Sequence, residues 1–381
     1  MLTTFLIVKF EKAHCKFSHD HELSGVQKFH ETPVPRIGGL SLLAAGFTGF
    51  FYLYFQGSQQ DSFFLWLICS SLPIFLGGLL EDLTKRIAAW NRLLLAFISS
   101  VAAFYGLNVG LVRIGWGWFD DTVLVIQGIS LLLTVVMVGG VSHATNIIDG
   151  FNGLLLGFSL LVLSVFAWVT VQVGDGFLLS ILLIMIGAVS GLLLFNFPKG
   201  RIFTGDGGAY LIGFLLAECS LLLVARNKMV SPWFPLLVMS YPVFETAFSS
   251  YRKKVLRKMS PRQPDGIHLH MLVYKRMIPQ WFGLSKRDWR RNAMTAVVMW
   301  GMSLISLVPA LFWWDNDSVM IFCIVAFCVF YVWFYFRIVK FRVSNRYKQL
   351  IAEWTCSRLT NHLFLAKFRL LIQKFFRRQP S

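Results

Sequence analysis

Charge is scarce in this chain. Of its 381 residues only 14% are Asp, Glu, Lys or Arg, against 56% hydrophobic residues that include 37 Phe and 13 Trp. An ordinary soluble domain, about a quarter charged, is excluded. Cysteine is sparse too: Cys15, Cys69, Cys219, Cys323, Cys328 and Cys356 show no metal-ligand spacing, so a zinc or iron–sulfur site is not expected and all six read as packing residues. Internal repeats are absent, unlike the repeated halves of many transporters. The start, MLTTFLIVKF, is apolar for eight residues before Lys9 and lacks a basic leader and a cleavage site. It is too short to span a membrane and is no signal peptide, so it reads as an interfacial anchor or the remnant of a longer helix.

What the chain has instead is long uncharged runs. Ten of them, roughly 37–60, 62–80, 93–112, 122–148, 154–174, 176–198, 207–225, 229–251, 292–314 and 318–336, carry at most one charged residue each. Each supplies the ~20 apolar residues of a bilayer-spanning helix. Hydrocarbon leaves backbone groups no water to bond, so the runs are helices. The fold class expected is an all-α polytopic membrane protein with about ten transmembrane helices.

The net charge of +17 is distributed unevenly. With alternate connections on opposite sides, one side holds 33 of the 36 Lys and Arg and the other only Arg113, Arg226 and Lys228. That asymmetry marks the rich side as cytoplasmic. The basic balance then reports orientation and contact with anionic lipid rather than nucleic acid. Three segments follow: an N-terminal interfacial segment and first cytoplasmic loop (1–36), a transmembrane domain (37–336) whose longest cytoplasmic loop is 249–291, and a basic tail (337–381). The tail interleaves Leu363, Phe364, Phe368, Leu371 and Phe375 with Lys367, Arg369 and Lys374, the pattern of a helix lying in the membrane interface. A homodimer is compatible with these features.

Five cytoplasmic stretches hold nearly all the polar chemistry: SGVQKFHETPVPRIGG (24–39), GGLLEDLTKR (77–86), NIIDGFNGL (146–154), FNFPKGRIFTGDGG (195–208) and PDGIHLH (264–270). Each carries acid: Glu31, Glu81 with Asp82, Asp149, Asp206 and Asp265. Carboxylates gathered at one membrane face repel unless a cation bridges them, and oxygen donors with few His or Cys favour Mg²⁺, with Mn²⁺ the alternative. Lys28, Arg36, Lys85, Lys199, Arg201, His268 and His270 surround them. Metal and cations together describe a place where a diphosphate is held and cleaved. The glycines of TGDGG let backbone approach the anion and hold Asp206 at a turn opening the next helix. Singly each signal has a bland reading: a turn, a helix-end charge, a cap. His268 and His270, at i and i+2, do not share a helical face. Glu218 and Glu245 lie inside runs, where a buried partner on another helix is expected, and His143 near a helix end reads as structural.

These five motifs, in order from about residue 24 to 336, resemble the polyprenyl-phosphate N-acetylhexosamine-1-phosphate transferases (glycosyltransferase family 4). The resemblance implies transfer from a UDP-N-acetylhexosamine to undecaprenyl phosphate, giving undecaprenyl-diphosphate-sugar and UMP, with Mg²⁺ required. It implies a multi-pass protein of the bacterial inner membrane with a cytoplasmic active site, initiating O-antigen or another surface polysaccharide. By the same resemblance Asp206 holds the metal, with Asp149 the second candidate ligand. Glu81 and Asp82 serve the prenyl-phosphate acceptor, and His268 and His270 the sugar-nucleotide phosphates. Asn146, Asp149 and Asn152 serve the nucleotide, and Lys28, His30 and Arg36 match the first cytoplasmic loop, while Lys199 and Arg201 are candidate substrate cations.

Three positions depart from the family pattern. Glu81 stands where the family usually has Asp, Asn152 where many members have Asp, and Met271 where the histidine motif often continues. The last leans away from the peptidoglycan branch and towards the surface-polysaccharide initiators. The rival reading is a transporter or flippase of sugar-linked lipids, which would place ionisable groups and broken helices near the midplane in repeated halves. Here the acids gather at one face.

Overall fold

The computed structural model describes residues 1–19, 33–57, 61–256, 266–285 and 288–340. Every regular element among them is helical: α1 (Leu2–Lys9), α2 (Glu11–Ser18), α3 (Gly39–Phe55), α4 (Asp61–Thr84), α5 (Ala89–Leu107), α6 (Gly117–Thr122), α7 (Gln127–Ile148), α8 (Leu154–Gln172), α9 (Gly176–Asn196), α10 (Gly205–Arg226), α11 (Phe234–Val238), α12 (Ser240–Tyr251), α13 (Leu269–Leu272), α14 (Ile278–Phe282), α15 (Trp289–Phe312) and α16 (Asp317–Val339). Eight of these, α4, α5, α7, α8, α9, α10, α15 and α16, are long and apolar enough to cross a membrane. The chain is an all-α polytopic membrane protein.

Two of the ten runs differ from the expected spans. The run at 37–60 yields only the 17 residues of α3, near the lower limit for a span. The run at 229–251 is broken at Met239 into α11 and α12. Pro235 and Pro242 explain the break: each sits in the first turn of its helix, where a missing N–H costs nothing, whereas mid-helix each would remove a backbone hydrogen bond. The expected interfacial start is the helix pair α1 and α2. Lys28, His30, Glu31 and Asp265 lie outside the described residues, as do Cys356 and the tail from residue 341.

The centre of the bundle is α10, buried along nearly all of Gly205–Val224 and packed against α3, α4 and α7. At its C-terminal end the sparse cations of the poorly charged face are consumed in tying helix ends. Arg113 donates to the carbonyls of Val224 (3.3 Å), Asn227 (3.0 Å) and Val230. Arg226 donates to both oxygens of Asp175 at 2.7 and 3.0 Å, and Asp175 caps α9 through the Leu178 N–H at 3.1 Å. The other end of α10 gathers the polar loops.

Candidate active site

Glycine decides how the polar end of α10 is built. Gly205 has φ +73°, and a Cβ there would fall 1.9 Å from the Arg36 carbonyl and 2.6 Å from Asp82. Only glycine fits. One turn on, Gly78 of α4 faces Gly207 so closely that a Cβ on Gly78 would meet the Gly207 nitrogen at 2.5 Å. Small residues let helix backbones approach in a membrane bundle. Here they bring the end of α4, and with it Glu81 and Asp82, against the start of α10.

Asp82 is buried, and its two oxygens accept the N–H groups of Asp206 and Gly207 at 3.0 Å each. A carboxylate on free helix N–H groups is favoured by hydrogen bonding and by the helix dipole. Arg36 bridges the two acids, its Nε 3.3 Å from Asp82 Oδ1 and its Nη2 3.1 Å from Asp206 Oδ1. Arg92, from the first turn of α5, pairs with the other Asp206 oxygen and lies over the Tyr210 ring. Glu81 accepts the Ile87 N–H at 2.7 Å, closing the α4–α5 connection.

One cavity of about 360 Å³ is lined by Arg36, Glu81, Arg92, Asn146, Asp149, Asn152, Asp206 and His268 with Asn196, Met271, Asn292 and their neighbours, while Asp82 lies outside the lining, behind the start of α10. Asp149 follows the last residue of α7; burial pushes its carboxyl up to about 7, against the opposing pull of Arg36. The loop it opens is pinned from two helices. The Asn152 N–H donates to Asn292 Oδ1 of α15 at 2.7 Å, and the Gly153 N–H to Asn196 Oδ1 of α9. Asn196 in turn donates to the Ile202 carbonyl at 2.7 Å, and Asn152 to that of Pro198 at 3.1 Å. Asn152 thus holds backbone as well as lining the cavity.

The two histidines part company. His268 lines the cavity, with Nδ1 2.8 Å from Glu245 Oε1. His270 is fully buried and outside the lining. Its Nδ1 lies 3.2 Å from the Tyr241 hydroxyl, and burial pushes the ring down to about 3 despite the nearby Glu245 carboxylate, so it stays neutral. Lys199 and Arg201 are exposed outside the lining, with Lys199 over the Trp289 ring. Of the two acids inside spans, Glu245 has its expected partners. Glu218 has none: both oxygens are buried without a hydrogen bond among the described residues. His143 bonds the Tyr210 hydroxyl at 3.3 Å. Arg92, Asn196 and Asn292 were not singled out from the sequence. Arg92 reads there as an ordinary helix-flanking charge, and the one available clue is its place in the first turn after an acidic motif.

Among the described residues no three His, Cys, Asp or Glu side chains converge into a metal cage. The acids and amides that line the cavity are oxygen donors, three of them the carboxylates of Glu81, Asp149 and Asp206.

The model of glycosyl transferase family 4 matches residues 64–224, from α4 to the end of α10. A Bacillus subtilis (strain 168) protein named "Probable undecaprenyl-phosphate N-acetylglucosaminyl 1-phosphate transferase" is 26% identical over 293 residues, 75% of each chain. Undecaprenyl-phosphate alpha-N-acetylglucosaminyl 1-phosphate transferase of Thermotoga maritima is 28% identical, covering 67% of this chain and 72% of its own. The protein of that name from Escherichia coli (strain K12) is 27% identical, over 65% and 67%. Most of the cavity wall, from Glu81 to Asp206, falls inside the matched stretch; Arg36, His268, Met271 and Asn292 come from outside it.

Proposed function

We propose that this protein transfers an N-acetylhexosamine 1-phosphate from a UDP-sugar to undecaprenyl phosphate, releasing UMP. The observation that carries the reading is the shared cavity, lined also by Asp149, in which Asp206, fixed on Asp82 through its backbone, meets Arg36 and Arg92. Two guanidinium groups beside the acids suit a diphosphate, whose charge they bind and whose cleavage they ease. The names of the relatives supply the acceptor and the sugar class. The 33 Lys and Arg that the sequence assigns to one side support a cytoplasmic orientation in the inner membrane and contact with anionic lipid. The product would begin O-antigen or another surface polysaccharide.

An acceptor phosphate oxygen attacks the sugar-bearing phosphorus, and the bond to the UMP oxygen breaks. Both oxygens of Asp82 are engaged by the Asp206 and Gly207 N–H groups, which favours direct attack over a covalent phosphate on that carboxylate. Arg36 and Arg92 offset the charge that collects on the departing UMP. His268, which lines the same cavity, would contact the phosphates. Asp206 and Asp149 would hold Mg²⁺: their hard oxygens, without a complete protein cage, fit an ion that takes its remaining ligands from substrate phosphate and water. Bound there, it would neutralise phosphate charge. The test is purified protein with labelled UDP-sugars, Mg²⁺ and undecaprenyl phosphate. UMP and a lipid-linked sugar should form together and only with acceptor present; failure across a panel of UDP-N-acetylhexosamines overturns the reading.

A further inference from the structure

Tyr241 and Glu245 stand one turn apart on α12, and His268 and His270 stand two residues apart where the chain enters α13. Residues i and i+4 of a helix lie about 5–6 Å apart, and i and i+2 of extended chain about 6.5 Å. His268 is extended (φ −57°, ψ 151°), so the two spacings match and the rings stack in parallel, 5.4 Å apart and 5° from coplanar. Tyr241 takes His270 and Glu245 takes His268. The break at Met239 that starts α12 sets this face of the helix against the histidines.

Glu245 is fully buried, and its second oxygen accepts the Leu269 N–H at 3.1 Å and the Tyr331 hydroxyl at 2.5 Å. The carboxylate is thereby fixed in place and aimed at Nδ1 of His268. Nε2 is the ring nitrogen left for the cavity. An imidazole held by a carboxylate on one nitrogen has its tautomer and orientation set at the other.

We propose that Glu245 is the positioning residue for His268: it fixes the proton on Nδ1 and turns Nε2 towards the diphosphate of the sugar nucleotide. The diphosphate part of this inference rests on the transferase reading; the ring state does not. The test uses the full-length protein in lipid nanodiscs with ¹⁵N-histidine, the His268 ring signals being assigned among the eight histidines by their loss in His268→Gln. Wild type should show Nδ1 protonated, Glu245→Gln should lose that bias, and Glu245→Asp should recover it. In the transfer assay Glu245→Gln should lower kcat at least tenfold while the KM for undecaprenyl phosphate changes less than twofold, with Glu245→Asp intermediate. Unchanged His268 signals in Glu245→Gln overturn the positioning role, whether or not transfer is detected. Should that variant not accumulate, Tyr331→Phe removes one donor from Glu245 without touching His268. The His268 signals should then move, and signals that stay put overturn the inference.

Discussion

Asp82 binds Asp206 through the latter's backbone, taking its N–H and that of Gly207 at 3.0 Å on separate oxygens. The side chain of Asp206 is left for the cavity, held by Arg36 and Arg92. The two acids therefore do different work, and their variants should fail differently. Asp206→Asn removes the proposed metal ligand and should abolish transfer with membrane insertion and amount unchanged. Retention of more than a tenth of the activity, a loss below about 1.4 kcal/mol, would place the metal elsewhere. Asp82→Asn replaces one acceptor by an NH₂ facing an N–H and loses the Arg36 pair. Its expected cost is about 2–3 kcal/mol, read as both a lower melting temperature and a slower initial rate.

Gly78 carries no chemistry, yet a Cβ there would strike the Asp206–Gly207 backbone at 2.5–2.6 Å. Rigid backbone cannot swing aside as a side chain would. Gly78→Ala should push the start of α10 away from α4 and cut transfer at least tenfold while every acidic and basic group remains. Gly140→Ala, where a Cβ meets nothing within 4 Å, should leave the rate within twofold. Equal rates for both variants would show that the close approach is unnecessary.

The spans were legible because a bilayer demands ~20 apolar residues in a row, a requirement no neighbour can override. The five polar stretches were legible because so little charge surrounds them. What escaped was pairing at long separation. Arg92 meets Asp206 across 114 positions, and its neighbours WNRLLL show no sign of it. The two histidines look equivalent in GIHLHML, but the chain changes from extended to helical between them, so one lines the cavity and the other is sealed behind it. Asn196 and Asn292 sit at helix ends where polar residues are ordinary, and only the fold shows that they pin the Asp149 loop.

Glu81 tests whether charge or backbone support matters at the family's variant position. Its carboxylate lines the cavity and also accepts the Ile87 N–H at 2.7 Å. Glu81→Gln keeps an oxygen for Ile87 and removes only the charge, so a drop in transfer isolates the electrostatic role. We expect at least a tenfold fall in initial rate as undecaprenyl phosphate is varied at fixed UDP-sugar and Mg²⁺. Glu81→Asp keeps the charge and should retain more activity than Glu81→Gln. The reverse order would assign Glu81 to holding the α4–α5 connection.

Asp175 gives a pH dependence of stability away from the site. Burial raises its carboxyl, but hydrogen bonds from Arg226, the Leu178 N–H and Asn227 outweigh burial and hold it below its ordinary 3.8. A depressed carboxyl contributes stability above its unfolded value and loses it as pH falls through the folded one. Asp175→Asn should therefore melt a few degrees lower than wild type in detergent at pH 7, for a loss of about 1–3 kcal/mol. The gap should close as pH drops below about 4. A gap independent of pH would mean that shape, not charge, is what Asp175 supplies.

Orientation is the remaining quantity on which the reading depends, and the charge split makes it testable. The cavity collects the ends of α4, α7 and α9 and the starts of α5, α10 and α15, so every residue lining it lies at one end of the bundle. By sequence alone, alternating connections put 33 of the 36 Lys and Arg on one side, and cytoplasmic loops retain Lys and Arg. Reporter fusions after Asp149 and His270 should therefore report cytoplasm, where UDP-sugars are made, and fusions after Asp61, Asp121 and Asp317 the opposite side. Asp120 and Asp317 lie by Arg113 at the far end, where Arg113 ties the Val224–Val230 turn, so a cytoplasmic signal at Asp121 or Asp317 would invert the bundle. A non-cytoplasmic signal at His270 would separate His268 from the nucleotide supply and remove the proposed reaction with it.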